Sequence, residues 1–211
     1  MNIDVEQRTD AWFAARLGKV TASKIADVMA RTKSGWSASR ANYAAQLVTE
    51  RLTGRPTEGF SNAAMQWGTE TEPQARAAYE WERGAAVIEV GFFDHPTVTM
   101  SGASPDGLVG DDGLVEIKCP NSATHIATLR GEPIADKYVK QMQWQMACTG
   151  RKWCDFASFD PRLPDAMQLH VQRVHRDDAM IAEMEAAVTE FLADVAATVA
   201  DLEARYLRRA A

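Results

Sequence analysis

The chain has 211 residues, 46% hydrophobic and 25% charged, which is the make-up of a soluble globular protein with room for an ordinary core. No apolar run approaches the roughly 20 residues that span a bilayer, and the acidic start Met1-Asn2-Ile3-Asp4-Val5-Glu6 lacks the basic-then-apolar pattern of a secretory leader, so a cytoplasmic protein without a membrane partner is expected. Cys119, Cys148 and Cys154 form no C-x-x-C pair, which argues against a zinc site, a disulfide framework or a four-thiolate cluster and leaves oxygen ligands for any metal.

The net charge of −6 is unevenly spread. Residues 16 to 40 hold six bases (Arg16, Lys19, Lys24, Arg31, Lys33 and Arg40) and one acid, Asp27, while residues 177 to 203 hold eight acids and no base. Such segments read either as two solvated helix faces of opposite sign or as a local footprint for nucleic acid.

In chain order, Asp10 to Leu17 is predicted as a short helix with Thr9 or Asp10 as its cap and Gly18 as its stop. Thr21-Ala22-Ser23 opens a second helix with an inner stripe of Ile25, Val28 and Met29. A helix start with hydroxyls and Arg16 nearby suits a phosphate, although Ser23 also reads as a plain cap. A polar loop carries Trp36, and a helix runs from Ser39 to Leu52. A helical region over 62–82 contains Glu70 and Glu72 just before Pro73. Short strands follow at Ala86–Phe93, Val98–Ser101, Ser104–Val109 and Leu114–Cys119.

After Pro120, a helix over Ala135–Cys148 places Gln141 and Gln145 one turn apart, each a surface amide by default. Strands at Lys152–Phe159 and Met167–Val174 flank a turn, and a final helix capped by Asp177 carries an apolar stripe from Met184 to Leu202 that is expected to pack on the sheet. With no linker or repeat visible, the whole chain, 1–211, reads as one α/β domain with a central mixed β-sheet flanked by α-helices.

The densest chemistry is Ser104-Pro105-Asp106-Gly107-Leu108 followed by Leu114-Val115-Glu116-Ile117-Lys118-Cys119. Period-two alternation puts Val115, Ile117 and Cys119 on one side of a strand and Glu116 with Lys118 on the other. A turn at Gly110-Asp111-Asp112-Gly113 would let a hairpin bring Asp106 beside Glu116. Two carboxylates and a lysine so placed could hold a divalent cation and poise a water; a turn tripeptide followed by a solvated ion pair is the plainer reading.

The order of several stretches adds a family likeness. Asp10-Ala11-Trp12, Arg16-Leu17-Gly18, Thr21-Ala22-Ser23, Trp67-Gly68 with Glu72, Ser104-Pro105-Asp106-Gly107-Leu108, Glu116-Ile117-Lys118-Cys119-Pro120, Gln141-Met142-Gln143 and Asp160-Pro161-Arg162 occur in one line. Nearly the whole chain resembles the phage lambda exonuclease family, the viral recombination nucleases of the PD-(D/E)xK superfamily.

The resemblance implies a restriction-endonuclease-like core, with an N-terminal helical part (1–84) that binds DNA ends and a catalytic part (85–211). It implies Mg²⁺, with Mn²⁺ as a substitute, in one or two ions on Asp106, Glu116 and the Ile117 carbonyl. Lys118 would activate water, helped by Gln141, and Glu72 would be the helical acid of the site. Arg16, Ser23 and Thr21 would form a pocket for a 5′-phosphate, with Trp12 near the terminal bases.

It further implies a homotrimeric 5′-to-3′ exonuclease that acts on linear double-stranded DNA beside a phage single-strand annealing protein. A restriction-type or structure-specific endonuclease, and a silent DNA-end-binding protein, are the alternatives. Two departures stand out: Asn121-Ser122-Ala123-Thr124-His125 holds no arginine where the family relative has one, and Trp144 replaces a tyrosine.

Overall fold

The computed structural model describes residues 2–3, 5–33, 35–57 and 63–207. Its centre is a five-stranded mixed sheet in the order β11-β10-β9-β8-β5. These strands are β5 (Val87–Ile88), β8 (Gly107–Val109), β9 (Gly113–Lys118), β10 (Trp153–Phe159) and β11 (Leu169–His175). β9 and β10 run parallel and every other pair in this sheet is antiparallel. The parallel pair requires a crossover, and the chain between them supplies the helices α5 (Ser122–Leu129) and α6 (Asp136–Thr149).

Alternation along β9 decides what each face touches. Val115 and Ile117 pack with Ala157 and Phe159 of β10 against Ala75 and Tyr79 of α4 (Ala63–Arg83). Leu114, Cys154 and Phe156 pack against Met142 and Met146 of α6 on the opposite face. Helix α4 continues through Pro73, which forgoes one backbone hydrogen bond but does not end the helix. The expected start of this helix at residue 62 lies outside the described residues.

A second sheet, β1-β6-β7-β2, was not expected from the sequence. Its strands β1 (Asn2–Ile3), β2 (Val20–Thr21), β6 (Phe92–Asp94) and β7 (Ser101–Ala103) are two or three residues long, too short to show an alternating pattern. The loop carrying Trp36 is a small hairpin of β3 (Arg31–Thr32) and β4 (Gly35–Trp36).

Around the second sheet sit α1 (Asp10–Arg16), α2 (Ile25–Met29), α3 (Ala38–Thr53) and α7 (Asp178–Leu202). Thr9 caps α1 and Asp177 caps α7, as expected. The second predicted helix instead begins with a 3₁₀ turn over Ala22–Lys24, and Ser23 caps nothing there. The apolar stripe of α7 also differs from expectation. Met184, Val188, Phe191 and Val195 join a cluster with Ile25, Val28, Tyr43, Leu47 and Trp144, so α7 packs on α2, α3 and α6 rather than on the central sheet. Helix α5 was missed because only His125 among its eight residues is buried.

Candidate active site

The β8–β9 hairpin turns at residues 110–112, and its register pairs Gly107 with Val115. Extending that register by one residue sets Asp106 opposite Glu116, as the spacing suggested. Asp106 Oδ2 accepts a hydrogen bond from the Ile117 amide at 2.7 Å. Glu116 is fully buried, which rules out the solvated-strand reading.

Three side chains satisfy the Glu116 carboxylate. Lys118 and Gln141 donate to Oε1, the latter at 2.6 Å, and Gln145 donates to Oε2 at 2.6 Å. Gln141 and Gln145 are four residues apart on α6, so both amides project from one face onto one carboxylate. Gln145 is fully buried, contrary to the surface amide expected.

The electrostatics follow from this crowding. Burial first, and the Glu116 charge second, push the Asp106 carboxyl up to about 8. For Lys118, burial works against the charged form, but Glu116 and Asp106 outweigh it and raise its pKa. Only when Asp106 ionises, in the alkaline range, does the pocket hold more carboxylate charge than one ammonium neutralises.

The fit to a dication rests on that donor set. Asp106, Glu116 and the Ile117 carbonyl are hard oxygen donors of the kind Mg²⁺ takes, and a dication would favour the charged form of the Asp106 carboxyl that burial and Glu116 disfavour. Since Lys118 and Gln141 share Oε1, a cation on that oxygen would displace the ammonium from it. Among the described residues no group of three or more His, Cys, Asp or Glu side chains is placed to hold a metal, so a ligand set here needs the backbone carbonyl.

These residues border a cleft of about 1190 Å³. Glu72, Asp106, Ile117, Lys118, Gln141 and Ser23 line it. Glu72 is ion-paired to Arg8 at 2.5 Å and to Arg76 at 2.8 Å. Ser23 is exposed, with its hydroxyl 3.5 Å from that of Thr21.

Arg16, Trp12 and Thr21 do not line the cleft. The Trp12 indole and the Arg16 guanidinium instead converge on the Ser104 hydroxyl at 2.9 and 3.2 Å, and Arg16 stacks 3.9 Å over the Trp12 ring. Both are thereby tied two residues from Asp106. Burial lowers the Arg16 pKa to about 10, and among the described residues no carboxylate lies within ion-pair distance of it. Thr21 is buried, and its amide donates to the Tyr43 hydroxyl.

Sequence reasoning assigned no role to Arg8, Tyr138 or Lys137. Arg8 lies in the cleft wall with a left-handed backbone, φ 70°, which no local pattern announces. Tyr138 stands one turn before Gln141 on α6, with the Lys118 ammonium 5.3 Å from its ring centre. Helical spacing from Gln141 would have found it.

A family model described as the YqaJ-like viral recombinase domain matches residues 11–152. The chain belongs to this family. It is a nuclease of the same viral recombination class as lambda exonuclease. A crystal structure of an alkaline exonuclease (LHK-Exo) from Laribacter hongkongensis is similar at 57% identity, with 96% of this chain and all of that chain covered and a TM-score of 0.89. The same enzyme in complex with dAMP is similar at 58% identity with the same coverage and TM-score. A phage-related exonuclease from Haemophilus somnus shares the fold at 16% identity and a TM-score of 0.63, with 85% and 96% covered. No curated protein matches the chain. The YqaJ-like family match spans Asp106, Glu116, Lys118 and Gln141 as well as the N-terminal Trp12, Arg16 and Ser23.

Proposed function

We propose that this deoxyribonuclease is a Mg²⁺-dependent 5′-to-3′ exonuclease that digests one strand of linear double-stranded DNA to mononucleotides and leaves a 3′ overhang for recombination by annealing. The observation that carries the reading is Asp106 and Lys118 lining the cleft with the buried Glu116 bonded to Lys118 and gripped by two amides of one helix.

Asp106, Glu116 and the Ile117 carbonyl bind the metal. When bound, Mg²⁺ supplies charge neutralisation at the phosphate and a more acidic water. Gln145 keeps Glu116 in place through Oε2. Lys118 would position the attacking water or, after giving up its own proton to solvent, accept the water's proton, and Gln141 would help hold the same water. Glu72, already clamped between two arginines, closes the acidic side of the site.

Arg16 is a desolvated guanidinium with no carboxylate in ion-pair distance among the described residues, which suits it to a 5′-phosphate presented beside Ser104. Ser23, with Thr21 behind it, and Trp12 complete that end-binding part. The chain acts as one unit of residues 1–211, as a homotrimer in the cytoplasm, with a phage single-strand annealing protein as partner. Mn²⁺ substitutes for Mg²⁺. No helix among the described residues is long and apolar enough to cross a membrane.

A gel comparing a 5′-phosphorylated linear duplex with a circular one, with Mg²⁺ and with excess chelator, tests the reading. Loss of the linear duplex alone, and only with Mg²⁺, is expected. Cutting of the circle would replace it with an endonuclease of the same superfamily.

A further inference from the structure

Arg162 is a cleft-lining cation with no part in the proposed metal site or end pocket. It follows β10 in the turn Asp160-Pro161-Arg162. Its Nε and Nη2 form a two-pronged pair with Asp160, at 2.7 Å to Oδ1 and 3.0 Å to Oδ2. Nη2 also donates to the Pro120 carbonyl at 3.2 Å, and the guanidinium carbon stands 4.5 Å from the centre of the Trp67 ring. Three separate elements thus fix one guanidinium: the turn after β10, the end of β9 and helix α4.

The arrangement is asymmetric. Asp160 is fully buried, and hydrogen bonds from Arg162 hold its carboxyl down at about 2. The Arg162 side chain remains 46% exposed, and its Nη1 makes no hydrogen bond among the described residues. Arg162, Trp67, Pro120 and Lys118 line the same cleft, and Lys137 lines it too. The cations Arg8, Lys118, Lys137 and Arg162 therefore line the cleft that holds the proposed scissile position, and Glu72 and Asp106 are the acids that line it.

A surface arginine normally gives up rotamer freedom when it grips a ligand. Here that loss has already occurred on folding, and Nη1 stays open, since Nε and Nη2 make the bonds that fix the group. A fixed guanidinium with one open nitrogen suits a single anionic oxygen, and in this cleft that oxygen belongs to a backbone phosphate.

We propose that Arg162, backed by Trp67, is a substrate-binding residue that grips a phosphate of the DNA strand next to the one being cut. The proposal rests on the nuclease reading of the same cleft. Asp160 and Trp67 are positioning residues that set the guanidinium and do not touch the DNA phosphate.

The test uses the full-length enzyme and its Arg162→Gln, Arg162→Lys and Trp67→Leu variants. Binding to a 5′-phosphorylated duplex end is measured in chelator across a salt series, and kcat and KM are measured with Mg²⁺. Arg162→Gln is expected to raise Kd and KM about ten-fold while kcat changes by less than about two-fold. It should also lower the slope of log Kd against log salt by about one.

Arg162→Lys keeps the charge but loses the fork and the stack, so it should recover only part of the loss. Trp67→Leu leaves the Asp160 pair intact and should shift KM in the same direction, which keeps the test valid if Arg162→Gln fails to fold. Lower thermal stability with unchanged Kd, KM and salt slope in these variants would make the cluster a structural brace and overturn the proposal. A wild-type enzyme that leaves DNA ends intact would instead defeat the nuclease reading and take this proposal with it.

Discussion

Lys118 keeps its proton because Glu116 and Asp106 together outweigh the burial that would remove it. Its role as a base therefore depends on a metal taking over those carboxylates. Changing Lys118 to Ala should abolish cleavage while DNA ends are still bound, and unchanged cleavage would remove it from the chemistry. Asp106, whose pKa is raised by burial and by Glu116, must lose its proton to serve as a ligand. The half-saturating Mg²⁺ concentration is thus expected to fall as pH rises from neutral into the alkaline range; a flat profile would contradict this. Gln145 donates to Glu116 Oε2, so Gln145→Leu strips one donor from a buried carboxylate, at about 1–3 kcal/mol of stability. The buried Gln145 Oε1 has no hydrogen-bond partner among the described residues, and its removal offsets part of that cost. Half-saturating Mg²⁺ should rise about ten-fold in the same variant, because a ligand's outer partners orient it. Denaturant unfolding and a Mg²⁺ titration check the two effects separately.

The hairpin of β8 and β9 is the element that creates the site. Its turn residues and alternation were legible in the sequence, and its register follows from them. Gly107 serves a need that its turn-like tripeptide does not reveal: a Cβ there would stand 2.1 Å from Val87 Cγ1 on β5. Gly107→Ala should cost about 1–3 kcal/mol by overpacking and displace the adjacent Asp106, which thermal melts together with residual activity will register. The long helices were legible too, because three- and four-residue spacings persist over many residues in α3, α6 and α7. What α7 packs against was not, since a stripe records that a face is buried and not which partner buries it. Helix α5 is short and buries only His125, and the strands of the second sheet, two or three residues long, are too short to show a period. Arg8 reaches Glu72 across 64 positions from a backbone conformation with no sequence signature.

For the molecule as a whole, the net charge of −6 concealed a divided surface. Arg40, in the basic segment, reaches Glu190 and Asp194 of the acidic final helix at 3.6 and 3.9 Å, so part of each block answers the other. Arg31 and Arg40 also stack on Trp36, each 3.8 Å from its ring centre. The main hydrophobic cluster joins Val20 to Val48 with residues from Val98 to Val195, so the segment proposed to bind DNA ends and the segment proposed to cut share one core. A shared core is what would couple recognition of a DNA end to cleavage at it. The most direct test is a blunt, 5′-phosphorylated linear duplex labelled at the 5′ end of one strand and at the 3′ end of the other. With Mg²⁺, the 5′ label should appear first as free mononucleotide while the 3′ label stays in long single strands. Early loss of the 3′ label, or internal fragments from either strand, would contradict a 5′-to-3′ exonuclease.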